Sequence, residues 1–418
     1  METLLLNTIL EIVIVIALIS IAFVIVYKTI KFPFIITTAA ICVIVGFVPF
    51  FEDLWKSLVY IGCPLMLVNI IFYVYQNKKS KQSGHNRYKV TFKTDAKPFE
   101  IQNVKRGVSI IGSAGSGKTE SVVFNLLQHF CKYEFCGVIH DYKNFELTEM
   151  AFPLFGASKV PFYIVSFDTI VNRVNPIAPR YMENEESVNE ISRVLIENLL
   201  EQRESVGSGS SKFFTDAAEG LIGGLIWKLK TSYPDFCTLP HLIAIYQYLD
   251  TESLIKFLET NTTSRAMADA FISGKDSDKQ TAGVKSTLAN ALKRISTQRI
   301  FMALSADEVP LNVNNPENPG VVSVVNNPKY ETAYAPVIAT IIHTITKQMS
   351  VRFSLPSFLM MEEAPTIRLL NMHRIPATLR SYDISTIYVM QDKIQNDIIY
   401  GEKASKAILS NLSYQFFG

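Results

Sequence analysis

Gly112-Ser-Ala-Gly-Ser-Gly-Lys118-Thr119 fits the pattern G-x-x-x-x-G-K-[ST], and its flanks fit as well. Before it, Val108-Ser-Ile-Ile111 is a short apolar run suited to a buried strand. After it, Val122, Val123, Leu126, Leu127 and Phe130 recur at helical spacing. A strand, a glycine-rich turn and a helix start aim backbone N–H groups at one point, where the helix dipole favours negative charge. Such a point takes a phosphate. Lys118 is expected to reach the β- and γ-phosphates of ATP, and the Thr119 hydroxyl to hold Mg²⁺. The expected nucleotide contacts are Gly112, Ser113, Ala114, Gly115, Ser116, Gly117, Lys118, Thr119 and Glu120.

A phosphate loop needs a carboxylate at the end of another strand, to position Mg²⁺, and an acid beside it to activate water. Phe358-Leu-Met-Met-Glu362-Glu363 offers four apolar residues and then two acids. Glu362 is read as the Mg²⁺-side carboxylate and Glu363 as the base. Glu is one methylene longer than the usual Asp, which water-mediated Mg²⁺ binding tolerates. Gln391 ends a further strand candidate, Thr386–Met390. A glutamine there can sense the γ-phosphate, and it reads equally well as an ordinary turn residue. Arg106 and Arg380 are candidates to stabilise transferring phosphoryl charge, from this chain or a neighbouring copy. Read alone, each is better explained as a surface arginine.

The N-terminal segment is a different material. Leu4–Tyr27, Phe34–Phe51 and Leu54–Tyr75 are apolar and close to the roughly 20 residues that cross a bilayer. Lys28 and Lys31, then Glu52 and Asp53, then Lys78, Lys79 and Lys81 flank them in turn. The positive-inside rule puts the N-terminus outside and everything after residue 76 in the cytoplasm. The expected anchor is residues 1–76, with two or three membrane-spanning helices. Glu11 inside the first stretch and Pro33 at the second leave both counts open.

Lys and Arg total 40 against 38 Asp and Glu, a net charge of +2, which excludes a globally basic, histone-like binder. Lys78 to Arg106 is locally lysine-rich, which reads first as a juxtamembrane segment attracted to anionic lipid. The five cysteines and six histidines make no metal-ligand pattern, so free thiols and no zinc site are expected.

Strand and helix patterns alternate over residues 107–177, with Gly137–Asp141 and Phe162–Phe167 as further strands, and the first part of the α/β domain is expected over residues 77–180. Residues 181–303 are amphipathic and helical in pattern, as in Val188–Leu200, Phe213–Leu229 and Thr251–Leu258, with Val206–Ser211 as a flexible loop. Over residues 304–418 strands return at Val321–Val325 and Phe358–Met361, with helices at Ala333–Met349 and near Leu369–Leu379. The expected fold is α/β: a RecA-like P-loop NTPase domain with a mostly parallel sheet, an all-helical insertion domain, and an N-terminal transmembrane helical anchor.

Together these motifs resemble the conjugative coupling proteins of TraG type, the type IV coupling proteins among the FtsK/HerA-like motor ATPases. Val138-Ile-His-Asp141-Tyr-Lys143-Asn-Phe-Glu146-Leu is similar to the family's Asp-x-Lys-Gly-Glu-Leu element. Val174-Asn175-Pro176 and Phe213-Phe214-Thr-Asp-Ala217-Ala218 resemble the steps that open and follow the start of the helical domain. Glu362-Glu363-Ala-Pro365 stands where the family has Asp-Glu-Phe-Pro. Leu379-Arg380-Ser-Tyr-Asp383, Met390-Gln391-Asp-x-x-Gln395 and Asn411 match later steps. The resemblance implies an ATPase anchored in the bacterial inner membrane and assembled as a hexameric ring, which links a relaxase–DNA complex to a type IV secretion channel and drives conjugative DNA transfer. The implied partners are DNA (single- or double-stranded), relaxase and relaxosome proteins, secretion-channel components, the lipid bilayer and further copies of the chain. It also implies Arg380, and second Arg106, as the arginine that reaches a neighbour's nucleotide. Asn144 and Asp383 replace family glycines, which predicts altered local turns. Family members commonly continue past Tyr414-Gln-Phe-Phe417, so a sheet cut short at the C-terminus is expected. Competing readings are a weakly hydrolysing adaptor that docks protein substrates at a secretion channel, and a chromosome-type DNA translocase.

Overall fold

Among the described residues, seven of nine strands form one sheet in which every pairing is parallel, in the order β5-β6-β4-β7-β8-β3-β9. The strands are β1 (Val90–Phe92), β2 (Phe99–Ile101), β3 (Val108–Ile111), β4 (Cys136–Asp141), β5 (Phe162–Val165), β6 (Val321–Val325), β7 (Ser357–Met361), β8 (Ile384–Met390) and β9 (Tyr414–Phe417). β1 and β2 make a separate antiparallel pair. This computed structural model describes residues 2–30, 32–47, 54–92, 97–200 and 209–418. Lys31, Glu52, Asp53, Lys93 and the Val206–Ser208 part of the expected loop lie outside the described residues.

β4, β6, β7 and β8 are buried along their whole length, as both faces are covered by helices. The β4–β7 pair makes a close backbone contact at Gly137. A Cβ on Gly137 would meet the Phe358 carbonyl oxygen at 2.2 Å, so only glycine lets these strands approach. On the same spot the rings of Phe130 and Phe358 stack at 4.6 Å.

Between β5 and β6 the described residues form helices and no strand. Their starts are written in the sequence. Asn184, Thr238, Asp250, Asn261 and Thr297 each accept a hydrogen bond from the backbone N–H three residues on. The apolar side of Glu185–Leu199 packs on the helices Gly209–Ser232 and Glu331–Met349. One continuous core therefore runs from the helical stretch into the sheet, and Lys89–Gly418 is a single compact unit.

Two local expectations change. Gly209-Ser-Ser211 belongs to a helix rather than to a loop. Near Leu369–Leu379 only Ile375–Arg380 is α-helical, because Pro376 is accommodated in a first turn and not farther in. Asn144 and Asp383 adopt a left-handed backbone, at φ 51° and 61°, the region that glycine favours. Short polar side chains are the ones that tolerate this region, so both turns form there without a glycine.

Met1–Tyr88 is the other compact unit. It contains the helices Glu2–Thr29, Pro33–Phe47 and Cys63–Arg87. Among the described residues one helical segment, Trp55–Gln76, is long and apolar enough to cross a membrane; Ile16–Tyr27 and Pro33–Gly46 are shorter apolar pieces. A buried polar hub joins the three helices. Tyr27 Oη donates to Asn69 Oδ1 at 2.6 Å, Thr37 Oγ1 donates to the same atom at 2.8 Å, and Asn69 Nδ2 donates to Thr38 Oγ1 at 3.1 Å.

Candidate nucleotide site

Parallel strands end at the same edge, so the sheet order decides which residues meet. Reading across β4, β7, β8 and β3, the residues just past the strand ends are Tyr142-Lys143, Glu362-Glu363, Gln391 and the loop that leads to Lys118. Adjacent strands lie about 4.8 Å apart, so these groups share one small patch. Backbone contacts pin the register at the end: the Gly112 N–H bonds to the Met390 carbonyl at 3.3 Å, and the Glu362 N–H to the His140 carbonyl at 3.1 Å.

The loop closes on itself. Gly115 and Gly117 have φ of 78° and 76°, and a Cβ on either would face open space, so backbone angle and not crowding selects glycine. The Lys118 ammonium is buried and donates to the carbonyls of Gly112 and of Ser113, the latter at 2.9 Å. Burial lowers its pKa, while Glu363 and Glu362 pull it back up. Ser116 Oγ is buried and has no hydrogen-bond partner among the described residues. Thr119–Val123 is wound as a π-helix before the α-helix Phe124–Lys132. A buried cation and an orphaned hydroxyl inside a glycine-shaped cradle fit a polyphosphate.

The two acids are held from several sides. Glu362 Oε2 accepts from the Tyr142 N–H at 3.0 Å, and Glu362 Oε1 lies 3.1 Å from Lys143 Nζ. Burial pushes the Glu362 carboxyl up to about 7, against the pull of Lys143. Lys143 also lies 4.0 Å from Glu363 Oε1 and 3.5 Å from Glu146 Oε2. Glu363 sits at φ 42°, a left-handed turn fixed by Thr366, whose Oγ1 donates to the Glu363 carbonyl at 2.7 Å. Gln391 Nε2 donates to Glu363 Oε1 at 3.0 Å.

Beneath them, the acceptor Glu362 carbonyl requires the proton of His140 on Nδ1, 2.9 Å away. Burial drives the His140 pKa down to about 4, so the ring is neutral. Asp141 Oδ2 accepts from the N–H and hydroxyl of Thr148, and burial raises its pKa. The roles of Tyr142 and Lys143 were missed as site residues. The signal was the Asp141-Tyr-Lys143 step itself, three residues placed where β4 ends.

The structure brings together Lys118, Glu362, Glu363 and Gln391, with Thr119 in the turn after Lys118 and Glu120 exposed beside it. It does not bring the two arginines to this edge. Arg106 precedes β3 and Arg380 precedes β8, at the opposite ends of strands that run parallel. The length of β3 alone puts Arg106 about 10 Å from the loop. Both are exposed, and their segments are tied by Lys105 Nζ to Asp383 Oδ1 at 2.6 Å. Two cations of the basic stretch are thus neutralised within the fold, Lys105 here and Lys89 by Glu100 at 2.8 Å.

Solved structures share this architecture. The plasmid coupling protein TrwB in complex with the non-hydrolysable ATP analogue ADPNP superposes with a TM-score of 0.59 at 14% identity, covering 74% of this chain and 70% of that one. TrwB in complex with ADP and Mg²⁺ gives 0.59 at 13% identity, with coverage of 74% and 70%. VirB4 of Thermoanaerobacter pseudethanolicus gives 0.50 at 11% identity, covering 78% and 83%. At such identities the likeness speaks to the fold. A sequence search of curated proteins finds no match. The family described as type IV secretion-system coupling protein DNA-binding domain matches residues 93–417. The chain belongs to that family of type IV secretion-system coupling proteins.

Proposed function

We propose that the chain is the ATP-hydrolysing motor of a conjugative coupling protein, anchored in the inner membrane by residues 1–76 and working on DNA in a ring of copies. The observation that carries this is the row of strand ends, in which the phosphate loop, a glutamine, two buried acids and a lysine lie side by side. The ADPNP and the ADP–Mg²⁺ complexes of TrwB, which shares the fold, support the choice of ligand.

Bound Mg²⁺–ATP supplies the transferable phosphoryl group and a divalent charge that spreads its negative potential. Lys118 would hold the phosphates by a charge-assisted contact, leaving its carbonyl partners in the loop. Thr119 and Glu362 would hold the metal. Glu363 would take a proton from the attacking water, oriented by Gln391 through their 3.0 Å hydrogen bond. Arg380 and Arg106, exposed at the far edge, would serve the nucleotide of an adjacent copy. Residues 181–303, the candidate substrate-facing layer, would meet the DNA–relaxase cargo, and the ring would deliver it to the secretion channel.

The test is steady-state ATPase activity of the detergent-purified chain, with and without single- and double-stranded DNA. Hydrolysis stimulated by DNA, and lowered roughly a hundredfold or more by Lys118→Ala, is the expected result. Negligible hydrolysis by the unaltered chain under assembling conditions would sink the motor reading.

A further inference from the structure

Three carboxylates surround one ammonium at the end of β4. Lys143 Nζ is 3.1 Å from Glu362 Oε1, 3.5 Å from Glu146 Oε2 and 4.0 Å from Glu363 Oε1. They are not equivalent. Glu362 and Glu363 are buried, whereas Glu146 lies at the surface with a side chain 38% exposed. Lys143 is half-exposed at 37% and has four rotatable bonds, so its head can move between the inner pair and the outer acid without moving the backbone.

We infer that Lys143 is a built-in counter-cation: it holds Glu362 and Glu363 in place, and it retires to Glu146 when a divalent cation takes Glu362. This inference rests on Glu362 being the metal-side carboxylate. Two buried carboxylates side by side repel each other, and a cation between them offsets that repulsion. A hydrated divalent cation and an ammonium cannot both occupy the short shell around Glu362 Oε1, so one excludes the other. Glu146 gives the displaced ammonium a partner within reach, which keeps the exchange small in free energy. Lys143 is thus a positioning residue. It sets how readily the acids accept a metal, and it keeps them from trapping one before nucleotide brings it.

The neighbouring contacts agree. Tyr142, the residue before Lys143, fixes the other oxygen of Glu362 through its N–H, so that exchange at Oε1 leaves the carboxylate oriented. Asn144 and Phe145, with φ of 51° and 78°, turn the chain so that Glu146 comes back beside Lys143.

The test uses the full chain in detergent without nucleotide, and Mn²⁺ as the probe, its binding read by the loss of the free-ion paramagnetic resonance signal. Lys143→Met is expected to bind Mn²⁺ at least about tenfold more tightly than the unaltered chain, because two buried acids are left without a cation. Lys143→Arg, which keeps the charge, is expected to remain close to the unaltered chain. Glu146→Gln removes the outer partner and is expected to raise the Mg²⁺ concentration for half-maximal hydrolysis several-fold, with metal-free ADP binding unchanged. A thermal melt and metal-free ADP binding check that each variant folds. Folded Lys143→Met that binds Mn²⁺ no more tightly than the unaltered chain would overturn the inference, as would an unchanged Mg²⁺ requirement in Glu146→Gln. A chain that hydrolyses no ATP yet shows the Mn²⁺ gain would sink the motor reading and leave the role of Lys143 standing.

Discussion

At the residue scale, burial and charge make testable statements about His140 and Glu363. His140 is neutral in the fold, with its pKa down at about 4, and takes a proton in the unfolded chain near 6.5. A base with a depressed folded pKa supports the fold fully above 6.5, and that support is lost as pH falls from 6.5 toward 4. The loss amounts to up to about 3 kcal/mol for so buried a ring. His140→Asn keeps a donor for the Glu362 carbonyl without a titrating group, so its denaturation midpoint should fall less steeply over that window. An equal slope in both proteins would contradict the assignment. Glu363→Gln should bind nucleotide normally and hydrolyse it poorly, read by ADP binding beside turnover. A loss of binding instead would make Glu363 a ligand and not the base. The loop was legible because G-x-x-x-x-G-K-T states a backbone shape and a charge together. Lys143 was legible only as part of the Asp141-Tyr-Lys143 step at a strand end, which leaves unsaid the three acids that folding brings around it.

At the scale of elements, β4 is the strand to perturb. Gly137→Ala places a methyl group 2.2 Å from the Phe358 carbonyl and must push β4 from β7. A cost of roughly 1–3 kcal/mol or more is expected in a denaturant titration. Activity should fall further than stability does, because the same displacement draws Tyr142 and Lys143 away from Glu362. A variant as stable and active as the unaltered chain would show that the strands have room. The strand cores were readable as apolar runs, and helix starts as Asn, Asp or Thr three residues before a satisfied N–H. Ends were less so. Pro376 shortens a helix that periodicity alone extends to Leu369, and the glycine–serine run at 209–211 joins a helix that composition assigns to a loop. At Asn144 and Asp383 the residue type conceals a left-handed backbone angle that a glycine would have announced.

At the scale of the whole molecule, the test is cooperation between copies. If Arg380 serves a neighbour, mixing Arg380→Ala with Lys118→Ala should restore part of the hydrolysis that neither has alone. Each copy with a sound loop then borrows an arginine from a copy whose own loop is dead. No recovery in mixed assemblies would place the arginine outside catalysis. The parallel sheet gives that question a geometric answer of its own. All seven strands point one way, so the molecule has a nucleotide edge and an arginine edge that never coincide. A two-fold pair with its copies antiparallel sets the arginine edge of each against the nucleotide edge of the other and completes both sites at once. A repeating step, each copy laid behind the last in the same sense, also sets unlike edges together, but an open row of that kind always leaves one site wanting at its end. Closure, whether by a two-fold pair or by a ring, is what a polar subunit that borrows an arginine needs for every site to be whole.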